Sequence, residues 1–117
     1  MTRQLELTLV ERHPEICSRY EGDIDKTCFG WGFEHGDGWF YIIENMLEQM
    51  QKVVDETGVK VSIEQIKSKF SSLRVYEDYE QGQKGAKIQQ GISQIREIIH
   101  KAEQLSTGIC EYTGKTK

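Results

Sequence analysis

From Trp39 onward, apolar residues fall at positions 39, 43, 46, 47, 50, 53 and 54, the spacing of one face of a helix. Gly58 follows as a C-terminal stop, so the pattern predicts a helix over about 38–57. A second run, Ile88, Ile92, Ile95, Ile99 and Ala102, steps by four and three in turn, with Ile98 and Leu105 widening the stripe. It predicts a helix over about 86–106, weakened slightly by Gly91 and ended by Gly108. This seam fits burial against the first helix or sharing with a second copy. Its narrowness and near-pure isoleucine content favour a homodimer.

Between the helices, Val59, Val61 and Ile63 alternate with Lys60, Ser62 and Glu64, and Leu73-Arg-Val-Tyr-Glu follows Ser71-Ser72, which predicts a β-hairpin. A rival pattern overlaps it: Ser62-Ile-Glu-Gln65 has capping-box form, and Ile63, Ile66 and Phe70 share a helical face, so residues 62–70 stay open between strand and helix. Residues 77–85 read as a polar loop and 18–28 as an acidic surface loop. Residues 4–9 alternate as a strand would, whereas Leu9, Val10, His13, Ile16 and Cys17 fit one helical face. Pro14 disfavours a helix running continuously through His13. The fold class expected is α+β: one domain over 1–117, with two long helices packed on a small antiparallel sheet that includes 59–76, and a tail, 109–117, free to be flexible.

Composition fits a small globular domain, with 37% hydrophobic and 29% charged residues and with four Phe, five Tyr and two Trp to fill a core. No apolar run reaches the roughly 20 residues a membrane span needs, and Met1-Thr2-Arg3 leads into charged alternation, so a cytoplasmic location is expected. Three cysteines, Cys17, Cys28 and Cys110, argue against a disulfide framework and leave reduced thiols or metal ligands. The net charge of −4 is divided unequally: residues 1–58 carry 5 Lys/Arg against 12 Asp/Glu, and residues 59–117 carry 10 against 7. Wrapping of nucleic acid is disfavoured by the acidic half, while a local basic patch in the second half suits one anionic group.

The stretch Cys28-Phe-Gly-Trp-Gly-Phe-Glu-His-Gly-Asp-Gly-Trp39 holds both tryptophans and four of the eleven glycines. Gly36-Asp37-Gly38 reads as a turn ending in a helix cap. Signatures of hydrolases, P-loops, zinc proteases and dinucleotide folds are missing from the sequence, and no cofactor is called for. Three chemistries remain. Glu34, His35 and Asp37 are residue types for acid–base work beside a helix start, although such groups more commonly cap and solvate. Cys28, His35 and Cys110 are metal-ligand types without informative spacing, and buried inert thiols are the default. Lys67, Lys69 and Arg74, with Trp31 or Trp39, could neutralise and stack on an anionic ligand, helped by free N–H groups at Gly38–Phe40; a solvated hairpin face and core tryptophans are the plain alternative. His13 and His100 sit in amphipathic contexts that suit solvated or locally bonded imidazoles.

Three blocks, Phe33-Glu-His-Gly-Asp-Gly-Trp39, Ile66-Lys-Ser-Lys-Phe-Ser-Ser-Leu-Arg-Val-Tyr76 and Ile109-Cys-Glu-Tyr-Thr-Gly114, resemble a family of small uncharacterised bacterial and phage proteins. That family carries Phe-Glu-Cys-Gly-Asp-Gly-Trp, Lys-x-Lys-Phe-Gly-x-Leu-Arg-Phe-Tyr and a terminal Cys-x-x-Cys-Gly, in the same order, over about residues 27–114. The resemblance implies a phage or bacterial accessory setting and supplies no mechanism. His35 stands where the family has Cys, and Thr113 where it has the second Cys of the terminal pair, so a four-ligand zinc site is incomplete here. Ser71 in place of the family's Gly implies that the turn after Phe70 is less demanding of left-handed dihedrals.

Binding-type features without an arranged nucleophile, base and oxyanion site lead to a non-enzymatic binding protein. Its expected partner is a host protein, which it would inhibit as an anti-defence factor does, or a phosphorylated small molecule, which it would sequester. The expected binding residues are Trp31, Trp39, Lys67, Lys69 and Arg74, with no metal and, if any were bound, Cys28, His35 and Cys110 as its ligands. A nucleotide-acting enzyme and a small zinc module are the alternatives.

Overall fold

The computed structural model of the protein describes residues 1–22 and 27–117, with the backbone but not the side chain of Trp31. In chain order it contains α1 (Arg3–Arg12), a 3-10 turn (Cys28–Trp31), β1 (Phe33–Glu34), a 3-10 turn (Asp37–Trp39), α2 (Phe40–Thr57), β2 (Val61–Lys69), β3 (Ser72–Tyr79) and α3 (Ala86–Ser106). The α+β class follows, and both long helices lie where their apolar stripes put them.

Helix α2 buries Ile43, Met46, Leu47, Met50 and Val53, the stripe predicted for it, and ends at Gly58, whose φ of 76° no side-chain-bearing residue adopts cheaply. Helix α3 buries Gly91, Ile95, Ile99 and Ala102. Gly91 packs against Thr57, so the glycine that weakens the helix locally lets the two helices approach. Ile88, Ile92 and Ile98 are partly buried on the same core. The isoleucine seam is therefore covered within one chain, and its pattern no longer argues for a second copy.

The sheet has three strands in the order β1-β2-β3. Strands β2 and β3 form the antiparallel hairpin, but Phe33 and Glu34 add to β2 in parallel beside Ile66 and Lys67, so the sheet is mixed and not antiparallel throughout. A strand of two residues is too short to show a period. Residues 62–70 are strand through Lys69. A register shift between Ile63 and Gln65 inserts one extra residue, so Ile63 and Ile66 both reach the core three positions apart. That bulge imitates helical spacing, which is why the two templates competed. Strand β3 extends to Tyr79, shortening the expected 77–85 loop.

Both edges of the hairpin are covered. On β3, the Leu73 N–H donates to Ser106 Oγ (2.8 Å) and the Val75 N–H to Glu103 Oε2 (2.9 Å), both from α3. On β2, Ile63 N–H donates to the Ile16 carbonyl (2.8 Å) and Thr27 Oγ1 to the Glu64 carbonyl (2.6 Å), extending the cover begun by β1. Residues 3–12 are helix, the first of the two patterns open there being overruled, and α1 stops before Pro14. His13 is buried, with Nδ1 3.1 Å from Gln51 Oε1, whereas His100 is exposed. Residues 18–22 form turns, and 23–26 of the expected acidic loop lie outside the described residues. No helix of the described residues is long and apolar enough to cross a membrane.

Candidate interaction face

Alternation along β2 and β3 separates two chemistries. Ile63, Ile66, Leu73 and Val75 point into the core shared with α2 and α3, so Lys67, Arg74 and Tyr76 stand on the opposite face. Lys67 is directly across from Arg74, and Lys69 from Ser72. Among the described residues none of these three cations lies within 4 Å of a carboxylate. Two like charges in register disfavour the hairpin by a few tenths of a kcal/mol to about 1 kcal/mol. Lys67 Nζ sits 5.9 Å from the centre of the Tyr76 ring, which is 43% exposed. Glu34 borders the cations at the register position of Lys67, and its carboxylate accepts from Gln65 Nε2 at 3.3 Å.

At the end of this face the hairpin turns through Phe70 and Ser71, both with positive φ, 53° and 61°. The expectation of a turn relaxed about left-handed dihedrals is thus corrected: this two-residue closure has positive φ at both positions although neither is glycine. Phe70 is 87% exposed. The rival helical pattern put it on one face with Ile63 and Ile66; with residues 62–69 in a strand, the turn carries it outward. Lys117 reaches the same tip, donating from Nζ to the Ser71 carbonyl at 2.7 Å.

The second expected site, around residues 28–39, is a sealed junction. Trp39 is fully buried, and its indole N–H donates to the Ile109 carbonyl at 2.9 Å. It presents no face to a ligand, which removes it from the binding set; the Trp31 side chain lies outside the described residues. The Gly38 N–H donates to the Glu111 carbonyl (2.5 Å) and the Phe40 N–H to the Asp37 carbonyl, so the helix start expected to hold an anion is already occupied. Asp37 caps neither helical element; its Oδ1 accepts from the Thr2 N–H at 2.6 Å. A Cβ at Gly36 would overlap the Glu111 carbonyl, and one at Gly38 the Cys110 carbonyl and Gly114 nitrogen. These glycines serve close backbone approach. Glu111 ties the junction together, accepting from the Gly36 N–H (2.9 Å) and from Ser68 Oγ (2.8 Å). The 109–117 tail, left free by the sequence, is a small folded loop with an Ile109–Thr116 bridge and a Lys117 N–H to Gly108 carbonyl bond of 2.9 Å.

The residues proposed for acid–base or metal chemistry serve separate contacts. His35 is buried between the rings of Phe33 (6.0 Å) and Trp39 (5.6 Å). Its Nδ1 is 2.9 Å from the Gly36 carbonyl, which makes Nδ1 the protonated nitrogen and leaves buried Nε2 without a partner. Burial, chiefly, lowers its pKa to about 4, assisted by the Met1 ammonium and opposed by the Gly36 bond and by Glu111 and Asp37. Cys28 is exposed, and Cys110 is half-buried with its thiol pKa held down first by the Thr113 hydroxyl. Among the described residues no three His, Cys, Asp or Glu side chains come together to hold a metal. Cys17 is buried in the core, which pushes its thiol up to about 12.

An open cleft of about 470 Å³ lies elsewhere, between residues 15–19, the end of α2 and the far ends of β2 and β3. Four of its five charged lining residues are paired with one another, Arg19 with Asp78 at 3.2 Å and Lys60 with Glu80 at 3.6 Å. Comparison with protein-family models, with curated proteins and with solved structures finds no match to this chain.

Proposed function

We propose that the protein is a non-enzymatic binding protein, a phage or bacterial accessory factor that captures, and thereby inhibits, a host protein through the outer face of its hairpin. One observation carries this reading: Lys67, Lys69 and Arg74 are held together on an open sheet face without carboxylate partners among the described residues, beside the exposed rings of Tyr76 and Phe70. A folded chain gains nothing from opposing Lys67 to Arg74, whereas an acidic partner surface would relieve that repulsion. The face is a sheet surface and not an enclosed cavity, which suits a macromolecule better than a phosphorylated small molecule.

The test is native mass spectrometry of the chain purified from its own host, alongside a Lys69→Glu/Arg74→Glu variant. The expected result is a stoichiometric protein adduct, lost in the variant and weakened by salt. A panel of nucleotides and cyclic dinucleotides is run in parallel. Consumption of any of them overturns the non-enzymatic reading, and a rise in melting temperature with one of them replaces the protein partner by a small molecule.

A further inference from the structure

We propose that Phe70 is the anchor of this interface, a side chain held out at the hairpin tip to enter an apolar slot within an acidic protein surface, and retained there against the chain's own stability. The inference rests on the binding reading above and gives that reading its central contact.

The turn is closed by Phe70 and Ser71 alone, between the paired residues Lys69 and Ser72. Of the three non-glycine residues with positive φ among the described residues, Glu21, Phe70 and Ser71, two are consecutive and are these. A two-residue turn with both dihedrals left-handed is the one that Asn-Gly fills without strain, because a Cβ crowds the following carbonyl in that conformation. Folding alone therefore favours small or amide residues here, yet the chain carries a benzyl group. The ring contributes little to the fold, since 87% of Phe70 is exposed; the Lys69 ammonium lies 5.6 Å from its centre. An aromatic residue placed where the backbone resists it, and where the core does not use it, has its role outside the chain.

The backbone of the turn is tied at two points. Lys117 Nζ holds the Ser71 carbonyl at 2.7 Å, and Ser72 Oγ donates to the Lys69 carbonyl at 3.1 Å. An aromatic side chain with only two torsions, carried on a tied turn, loses little freedom on binding. Lys67, Lys69, Arg74 and Lys117 are carried on the turn, the strands beside it and the tail bonded to it. An apolar anchor within a cationic rim matches an apolar slot within an acidic one. An extended phosphate backbone fits less well, because the chain as a whole carries −4 and its first half is the more acidic.

The test uses the full chain and a Phe70→Asn/Ser71→Gly variant, with Phe70→Ala and Lys69→Glu/Arg74→Glu as companions. Melting temperature is measured for each, and a randomised dodecapeptide library displayed on phage is selected against the wild-type protein. The double turn variant is expected to melt roughly 4 °C or more above wild type. Selected peptides are expected to place Asp or Glu around an apolar residue and to bind about tenfold or more weakly to both Phe70 variants. An unchanged or lowered melting point in the double turn variant overturns the proposal. Peptides that bind the Phe70 variants normally but fail on the charge-reversed variant overturn the anchor and leave the binding face standing. Peptides indifferent to every variant, or no enriched peptides, overturn both. Tight holding of a fluorescein-labelled single-stranded oligonucleotide at physiological salt, with no peptide enriched, overturns the choice of partner.

Discussion

Two segments of this chain look alike as sequence and opposite as structure. Residues 28–39 offer glycines, aromatics, a histidine and a helix start; residues 67–76 offer cations and aromatics. In the first, the polar groups closest to the expected anion site are consumed by folding: the Trp39 indole N–H goes to Ile109, the Gly38 N–H to Glu111 and the Asp37 carboxylate to Thr2. In the second, Lys67, Lys69 and Arg74 have no ion pair among the described residues, and Phe70 and Tyr76 are exposed. Residue types that bind ligands are also those that join distant parts of a fold. What separates the two uses is whether the partner is already present within the chain.

The largest expected effect lies in the sealed segment. Trp39→Ala removes a fully buried ring and frees the Ile109 carbonyl, so it should lower unfolding stability by about 3–5 kcal/mol in urea titrations. A loss below about 1 kcal/mol would mean that the junction is not sealed in solution and that Trp39 is available to a ligand after all.

His35 sharpens the contrast through pH. Its pKa is depressed to about 4 in the folded chain, against an ordinary value of 6.5, so the unfolded state takes up the proton first. The contribution of neutral His35 is complete above about pH 6.5 and is lost as pH falls toward 4. From pH 7 to pH 5 it should diminish by about 2 kcal/mol. His35→Asn keeps a donor near the Gly36 carbonyl and has no proton to gain, so the difference between the two pH dependences isolates the imidazole. Identical dependences would place His35 in contact with water.

The smallest effect belongs to the open face. Lys69→Ala should change stability by no more than about 0.5 kcal/mol, and Arg74→Ala should leave it unchanged or raise it by up to about 1 kcal/mol as the repulsion with Lys67 is relieved, since neither side chain supports the fold. A loss above 1 kcal/mol in either would assign that side chain to the fold and take it out of the interface.

Some of this was legible in the sequence because it depends on local periodicity. The stripes of α2 and α3 are fixed by side chains three and four residues apart, which meet on any helix, and Gly58 caps α2 as expected, whereas α3 closes at Thr107, one residue before the expected Gly108. The hairpin was half legible: its alternation was clear at Val59–Ile63, then lost where one extra residue shifted the register before Ile66. The cationic residues of the face could be named, but not their opposition across the ladder, because register is a relation between two strands.

By itself the sequence determined the α+β class, the two helices, the acidic and basic halves and the candidate residues, all of which rest on composition or on neighbours along the chain. Only the tertiary structure decided that Phe33–Glu34 joins β2 in parallel, that the tail fills the helix start at Gly38, that Trp39 is closed off and that Phe70 stands out. All but the last are set by segments far apart in the chain, such as Gly38 with Glu111, and the Phe70 turn follows from the register of two strands. Such pairings are chosen by the best simultaneous burial of apolar surface and satisfaction of backbone groups over the whole molecule, and no local window contains both partners.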